Sequence, residues 1–149
     1  MVHFVFYAGD AYSEKVNLIK IAESINRHFP CILNSYCSDG NLENRAMLNA
    51  IKHGYWQERL DSLYPPAKHS AYSYEDLPSD RYGAEFGAKY FDPKSNLSLG
   101  KQVSNYLKKL GATNPKNAPN YNTLPNIDNG SHSGIKNKTT KPFFTKEDK

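Results

Sequence analysis

Apolar positions along this chain change their period several times. Residues 2–8 form a nearly unbroken apolar run, with Val2, Phe4, Val5, Phe6, Tyr7 and Ala8. Such a run is the pattern of a strand covered on both faces, and Gly9-Asp10 ends it. From Ser13, a suitable N-cap, Leu18, Ile21, Ala22, Ile25 and Phe29 repeat at alternating spacings of three and four. That spacing predicts a helix, stopped by Pro30. Residues 31–36 then read as a second short strand, and Ser38-Asp39-Gly40 as a turn. The order strand, helix, strand predicts a small βαβ unit with a right-handed crossover.

Three further helices follow. The first spans about 41–63 and is closed by Tyr64-Pro65-Pro66. Its predicted inward stripe runs through Leu42, Ala46, Asn49, His53, Trp56, Leu60 and Leu63, with Asn49, His53 and Trp56 at i, i+4 and i+7. A Tyr- and Ser-rich loop covers 67–78. The second helix is predicted over about 80–91, with Ser79 as cap. It contains Gly83 and Gly87, which together cost about 2 kcal/mol relative to Ala. A close approach of another backbone or of a ligand would offset that cost. Asp92-Pro93 breaks the chain. The third helix runs from about 98 to 110, with Leu99, Val103, Tyr106, Leu107 and Leu110 on one side and Gly111 just beyond its end. The expected fold class is therefore α/β, dominated by helix: a short N-terminal βαβ unit, three helices and an irregular C-terminal tail. Residues 1–111 form the expected globular domain, 112–127 an extended strap, and 128–149 a disordered tail.

Composition adds two points. Among 149 residues there are 11 Tyr and 7 Phe, so a modest core of amphipathic rings is expected. The net charge of +4 is uneven: 1–111 hold 13 Lys and Arg against 12 Asp and Glu, and 112–149 hold six Lys against three acids. A nucleic-acid binder concentrates basic charge on a folded face, so nucleic acid is not the expected partner. The sequence shows neither a signal-peptide pattern nor an apolar stretch of membrane-spanning length. Cys31 and Cys37 make poor disulfide partners along one short segment. Reduced thiols fit a cytoplasmic chain, or one exported by a specialised system. No metal-ligand spacing of Cys and His stands out, so neither metal nor cofactor is expected.

His53 is the leading candidate for chemistry, as a general acid or base on a rigid helix. Asn49, one turn earlier, Trp56, Gly83 and Gly87 would contact substrate. Asp80 would fix the imidazole tautomer from a neighbouring helix brought close by Gly83 and Gly87. Cys37, at a strand end before a helix N-terminus, is the candidate nucleophile. Alternatively, these polar groups are hydrogen-bonded core residues.

The run Asn49-Ala50-Ile51-Lys52-His53-Gly54-Tyr55-Trp56 resembles an Asn-Ala-x-[Arg/Lys]-His-x-x-Trp helix. Residues 76–87, from Asp76-Leu77 through Gly83 to Gly87, resemble its companion, Asp-Leu-x-x-Asn-x-x-Gly-x-x-x-Gly, with Asp80 in place of the Asn. Such pairs occur in a poorly characterised helical family at the C-termini of secreted bacterial proteins, including RHS-type polymorphic toxins. The resemblance covers about residues 39–91. It implies that His53 and the Asp80/Gly83/Gly87 segment face each other. It also implies a toxin-like effector with a cognate immunity protein as partner. The expected function is thus an effector with a His-centred hydrolase-type site. The alternatives are an interaction module using the aromatic loop Tyr64–Tyr74, and a nucleic-acid binder or nuclease.

Overall fold

The computed structural model describes residues 2–28, 39–68, 70–114, 117 and 136–141. The fold is helical, and no strand occurs among the described residues. Helix α1 spans Val2–His28, α2 Asp39–Leu63, α3 Asp76–Glu85 and α4 Leu99–Lys109. A π-helical turn, Phe86–Tyr90, prolongs α3 and closes with Phe91 N donating to Phe86 O at 2.8 Å.

The expected βαβ start is overturned. Residues 2–8 are the first two turns of α1, and neither Gly9 nor Ser13 interrupts it. In helical register Phe4, Tyr7 and Ala11 turn inward, while Val2, Val5 and Phe6 face solvent. The continuous apolar run thus hides an i, i+3, i+7 stripe, and packing overrides the strand preference of Val and Phe. The expected second strand, 31–36, lies outside the described residues.

α3 packs against both α1 and α2, with its closest approach to α1. A methyl group on Gly83 would overlap the carbonyl oxygen of Phe4, and one on Gly87 that of Ala8. The two glycines therefore admit another backbone, which offsets their helix cost. A core of small residues surrounds this crossing: Ala11, Ala46, Ala50, Ala84 and Ala88, closed by Tyr7. An aromatic group of Phe4, Phe86 and Tyr106 attaches α4. The Phe86 and Tyr106 ring centroids lie 5.5 Å apart, and Tyr106 Oη donates to Glu85 at 2.9 Å. Ser98 caps α4 by accepting from Lys101 N, and Gly111 takes a positive φ of 76° just past its end.

The buried face of α2 also differs from the expected stripe. Leu42, Ala46, Ala50, Gly54 and Glu58 point inward at steps of four. Trp56, Leu60 and Leu63 are largely exposed. The small side chains of Ala46, Ala50 and Gly54 let α1 and α3 come near, so they win the inward face over larger apolar residues.

Within 128–149, expected to be disordered, residues 136–141 lie on the loop that precedes α3. Asn137 is buried: its N–H donates to Tyr72 O at 2.9 Å, and its amide donates to Tyr74 O at 3.2 Å and Lys141 O at 2.9 Å.

Candidate functional site

Among the described residues, a concentration of ionisable groups lies where the first turn of α1 meets α2 and α3. His3 comes from α1, Glu58 from α2, and Asp76 and Asp80 from α3. Asp76 and Asp80 are one helical turn apart and so share a face. His3 Nδ1 is 2.9 Å from Asp80 Oδ1, and His3 Nε2 is 3.6 Å from Asp76 Oδ1. Both ring nitrogens thus face carboxylates. Ligand atoms of His3, Glu58 and Asp76 all lie within 4.8 Å of one another.

Burial is graded across the group. Asp80 is 1% exposed and Glu58 3%, whereas the His3 side chain is 39% exposed and opens the cluster to solvent. Glu58 accepts a short hydrogen bond from the Tyr72 N–H. Tyr72 presents that N–H from a left-handed backbone conformation, φ 57°, which non-glycine residues seldom adopt. Asp76 accepts from Ser73 N at 2.9 Å. One oxygen of Asp80, Oδ2, is buried without a hydrogen-bond partner. It sits over Gly54, where a methyl group would overlap it, one turn of α2 before Glu58.

These surroundings move the protonation equilibria. The hydrogen bond to Asp80, helped by the charges of Asp76, Asp80 and Glu58, raises His3 to about 8 against the opposing effect of its burial. Burial raises the carboxyls of Glu58, Asp76 and Asp80 above the ordinary range. Hydrogen bonds and the His3 charge only partly oppose it. His3 is thereby placed where it can take up or release a proton near neutrality, and groups perturbed in this way are common at acid–base sites.

The residues singled out in sequence are dispersed. His53 is exposed and pairs with Asp10, its Nδ1 2.8 Å from Asp10 Oδ2. The α2 residue facing Asp80 is Gly54, its neighbour in sequence. Asn49 donates weakly to Glu14 at 3.4 Å, beside the His53–Asp10 pair. Trp56 stands outside, with the Arg59 guanidinium 5.6 Å over its ring. Gly83 and Gly87 are filled by the α1 backbone, which leaves no space there for substrate. Cys37 lies outside the described residues. Of the expected residues that are described, Asp80 alone joins the cluster.

His3 and Glu58 were missed because each hides in an apolar pattern. His3 sits inside the apolar run 2–8, whose local pattern is that of a strand. Glu58 continues the small-residue series at 46, 50 and 54, and a charge on such a series is the signal that reveals it.

A cavity of about 740 Å³ lies on the other side of α1, lined by Phe4, Ala8, Tyr12, Phe86, Phe91 and Leu107 among others. Its walls are mainly rings and aliphatic groups, which suit apolar contact more than bond cleavage. The ionisable groups described above lie apart from this cavity, in the His3 cluster. Comparison with family models, curated proteins and solved structures finds no match.

Proposed function

We propose that the chain is an effector-like hydrolytic domain whose reactive centre is His3 with Asp80, Asp76 and Glu58. One observation carries this reading: four ionisable side chains from three helices converge, and a buried carboxylate binds the inner nitrogen of a half-exposed imidazole. Asp80 fixes the His3 tautomer and orientation, as a carboxylate does in hydrolytic triads. His3, with its pKa near the working pH, holds or moves a proton at Nε2. Both ring nitrogens face carboxylates, so the nucleophile this arrangement suits is water entering on the exposed side. The effector context rests on the Asn49–Trp56 and Asp76–Gly87 segments and their resemblance to toxin-associated domains.

The test is bacterial growth on induction of the chain, in cytoplasm and in periplasm, beside His3→Ala and His53→Ala. Growth arrest that His3→Ala relieves, while the variant keeps its circular dichroism and His53→Ala stays toxic, is the expected outcome. Relief by His53→Ala and not by His3→Ala would transfer the site to the His53–Asp10 pair.

The exposed apolar row Trp56, Leu60, Leu63 and Tyr64 favours a second reading, an interaction module docking along α2. Full toxicity of His3→Ala and His53→Ala, lost instead on Trp56→Ala, would select it.

A further inference from the structure

We infer that the edge formed by His3 Nε2, Glu58 and Asp76 is a binding site for a divalent first-row transition-metal cation, with Asp80 as the carboxylate that orients His3 from behind. This rests on reading the cluster as the reactive centre: with a cation on Nε2 that nitrogen carries no proton, and the cation in place of His3 activates the water.

The first support is geometric. With Nδ1 engaged by Asp80, the other nitrogen of His3 is directed to Asp76, 3.6 Å away. A histidine that donates one ring N–H to a carboxylate and offers the other nitrogen outward is the arrangement found at most histidine-bound metals. Ligand atoms in a zinc site stand about 2.0–2.2 Å from the ion, hence roughly 3–3.5 Å from one another. The three atoms here lie within 4.8 Å, and the half-exposed His3 side chain can close the remaining gap.

The second support is charge. Three carboxyl groups, those of Glu58, Asp76 and Asp80, converge on the single imidazole of His3, and Glu58 and Asp80 are buried. One imidazole among three carboxyl groups leaves an excess of acidic groups in a seam largely closed to water, and a bound cation displaces their protons. The Asp80 Oδ2 atom, fully buried and without a donor, shows where compensation is incomplete. Buried polar atoms ordinarily have a partner, and exceptions indicate an unplaced water or ion. A divalent cation adjacent to His3 offsets this excess through space.

The donor set indicates the class of ion. One imidazole and two carboxylates suit zinc or manganese, whereas magnesium prefers oxygen and its own water. Three protein ligands on the side open at His3 leave positions for water, whose pKa a bound cation lowers.

The experiment is calorimetric titration of the metal-stripped full chain with Zn²⁺ and with Mn²⁺, and with Mg²⁺ as control. One-to-one binding of Zn²⁺ or Mn²⁺ in preference to Mg²⁺ is expected. Asp76→Asn and Glu58→Gln should weaken it at least tenfold, Asp80→Asn by about 10–100-fold, and His53→Ala should leave it unchanged. Absence of binding by either ion at millimolar concentration, or binding indifferent to Asp76→Asn and Glu58→Gln, would overturn the inference. If those variants fail to fold, the ¹⁵N signals of the His3 ring during Zn²⁺ titration of the unaltered chain decide. A shift at Nε2 supports the site, and unmoved signals refute it. Binding by a chain that is not toxic would keep the cation site and remove the hydrolytic reading. Toxicity relieved by His3→Ala in a chain that binds neither ion would do the reverse.

Discussion

At the scale of single residues, a glycine decides how α2 meets Asp80. Gly54 gives way to the Asp80 carboxylate, and the neighbouring His53 is turned out to solvent. Gly54→Ala should therefore cost about 1–3 kcal/mol, because overpacking a closed seam forces side chains off their minima. Urea denaturation would measure the loss, and a gain in stability would mean that the seam is open. Tyr106 gives a second residue-scale expectation. Its burial, and then the hydrogen bond it donates to Glu85, push the phenol well above its usual value of 10. The folded chain holds that proton more tightly than the unfolded chain does. Its contribution is thus complete below about pH 10 and is lost as pH rises further. Melting temperatures between pH 8 and 11 should fall more steeply for the native sequence than for Tyr106→Phe. The same substitution should cost about 1 kcal/mol at neutral pH through the lost hydrogen bond.

At the scale of elements, two helical glycines, one in α1 and one in the π turn after α3, have opposite consequences. Gly9 is exposed in α1 with open space where a Cβ would stand, while Gly87 touches the α1 backbone. Gly9→Ala should stabilise by about 0.5–1 kcal/mol, since the helix interior favours Ala. Gly87→Ala should destabilise by about 2 kcal/mol or more, because a backbone cannot move aside as a side chain can. Thermal denaturation of both variants checks α1 directly. Were residues 2–8 a strand ended by a turn at Gly9-Asp10, Gly9→Ala would bring no gain. The predicted extents of the last three helices, about 41–63, 80–91 and 98–110, lie within a few residues of the observed ones, α3 and its π turn starting four residues earlier. Their ends are set locally, by Ser98, Gly111 and the prolines at 65, 66 and 93. The N-terminal helix was not legible, because Val and Phe favour strands locally and its inward stripe shows only once α3 is in place.

At the scale of the molecule, the C-terminal segment 136–141 bears on the cluster from a distance. Asn137 holds the loop whose Tyr72 N–H reaches Glu58. Asn137→Ala should raise amide exchange at Tyr72 and Ser73 several-fold, with little change in the helices around Ala46 and Ala84. Exchange at Tyr72 equal to that of the native sequence would show the loop to be held without it. Local opening of this kind requires only the contacts at that site to break.

Taken by itself, the sequence determined the helical segments after residue 39 to within a few residues, Gly111 just past the last of them, and the need for something to lie against Gly83 and Gly87. These follow from contacts within a few residues, where propensity and periodicity act. It also marked Asp80 as a residue of interest. Ser79, expected as a cap, lies inside α3, which starts at Asp76. The tertiary structure alone decided that the occupant at the two glycines is the α1 backbone, that Glu58 and not Trp56 is on the inner face of α2, and that the histidine beside Asp80 is His3. Those outcomes join positions 3, 58 and 80, whose distance along the chain leaves no periodic trace. They depend on which helix faces fit closely enough to exclude water, a property of packed surfaces and not of any local run.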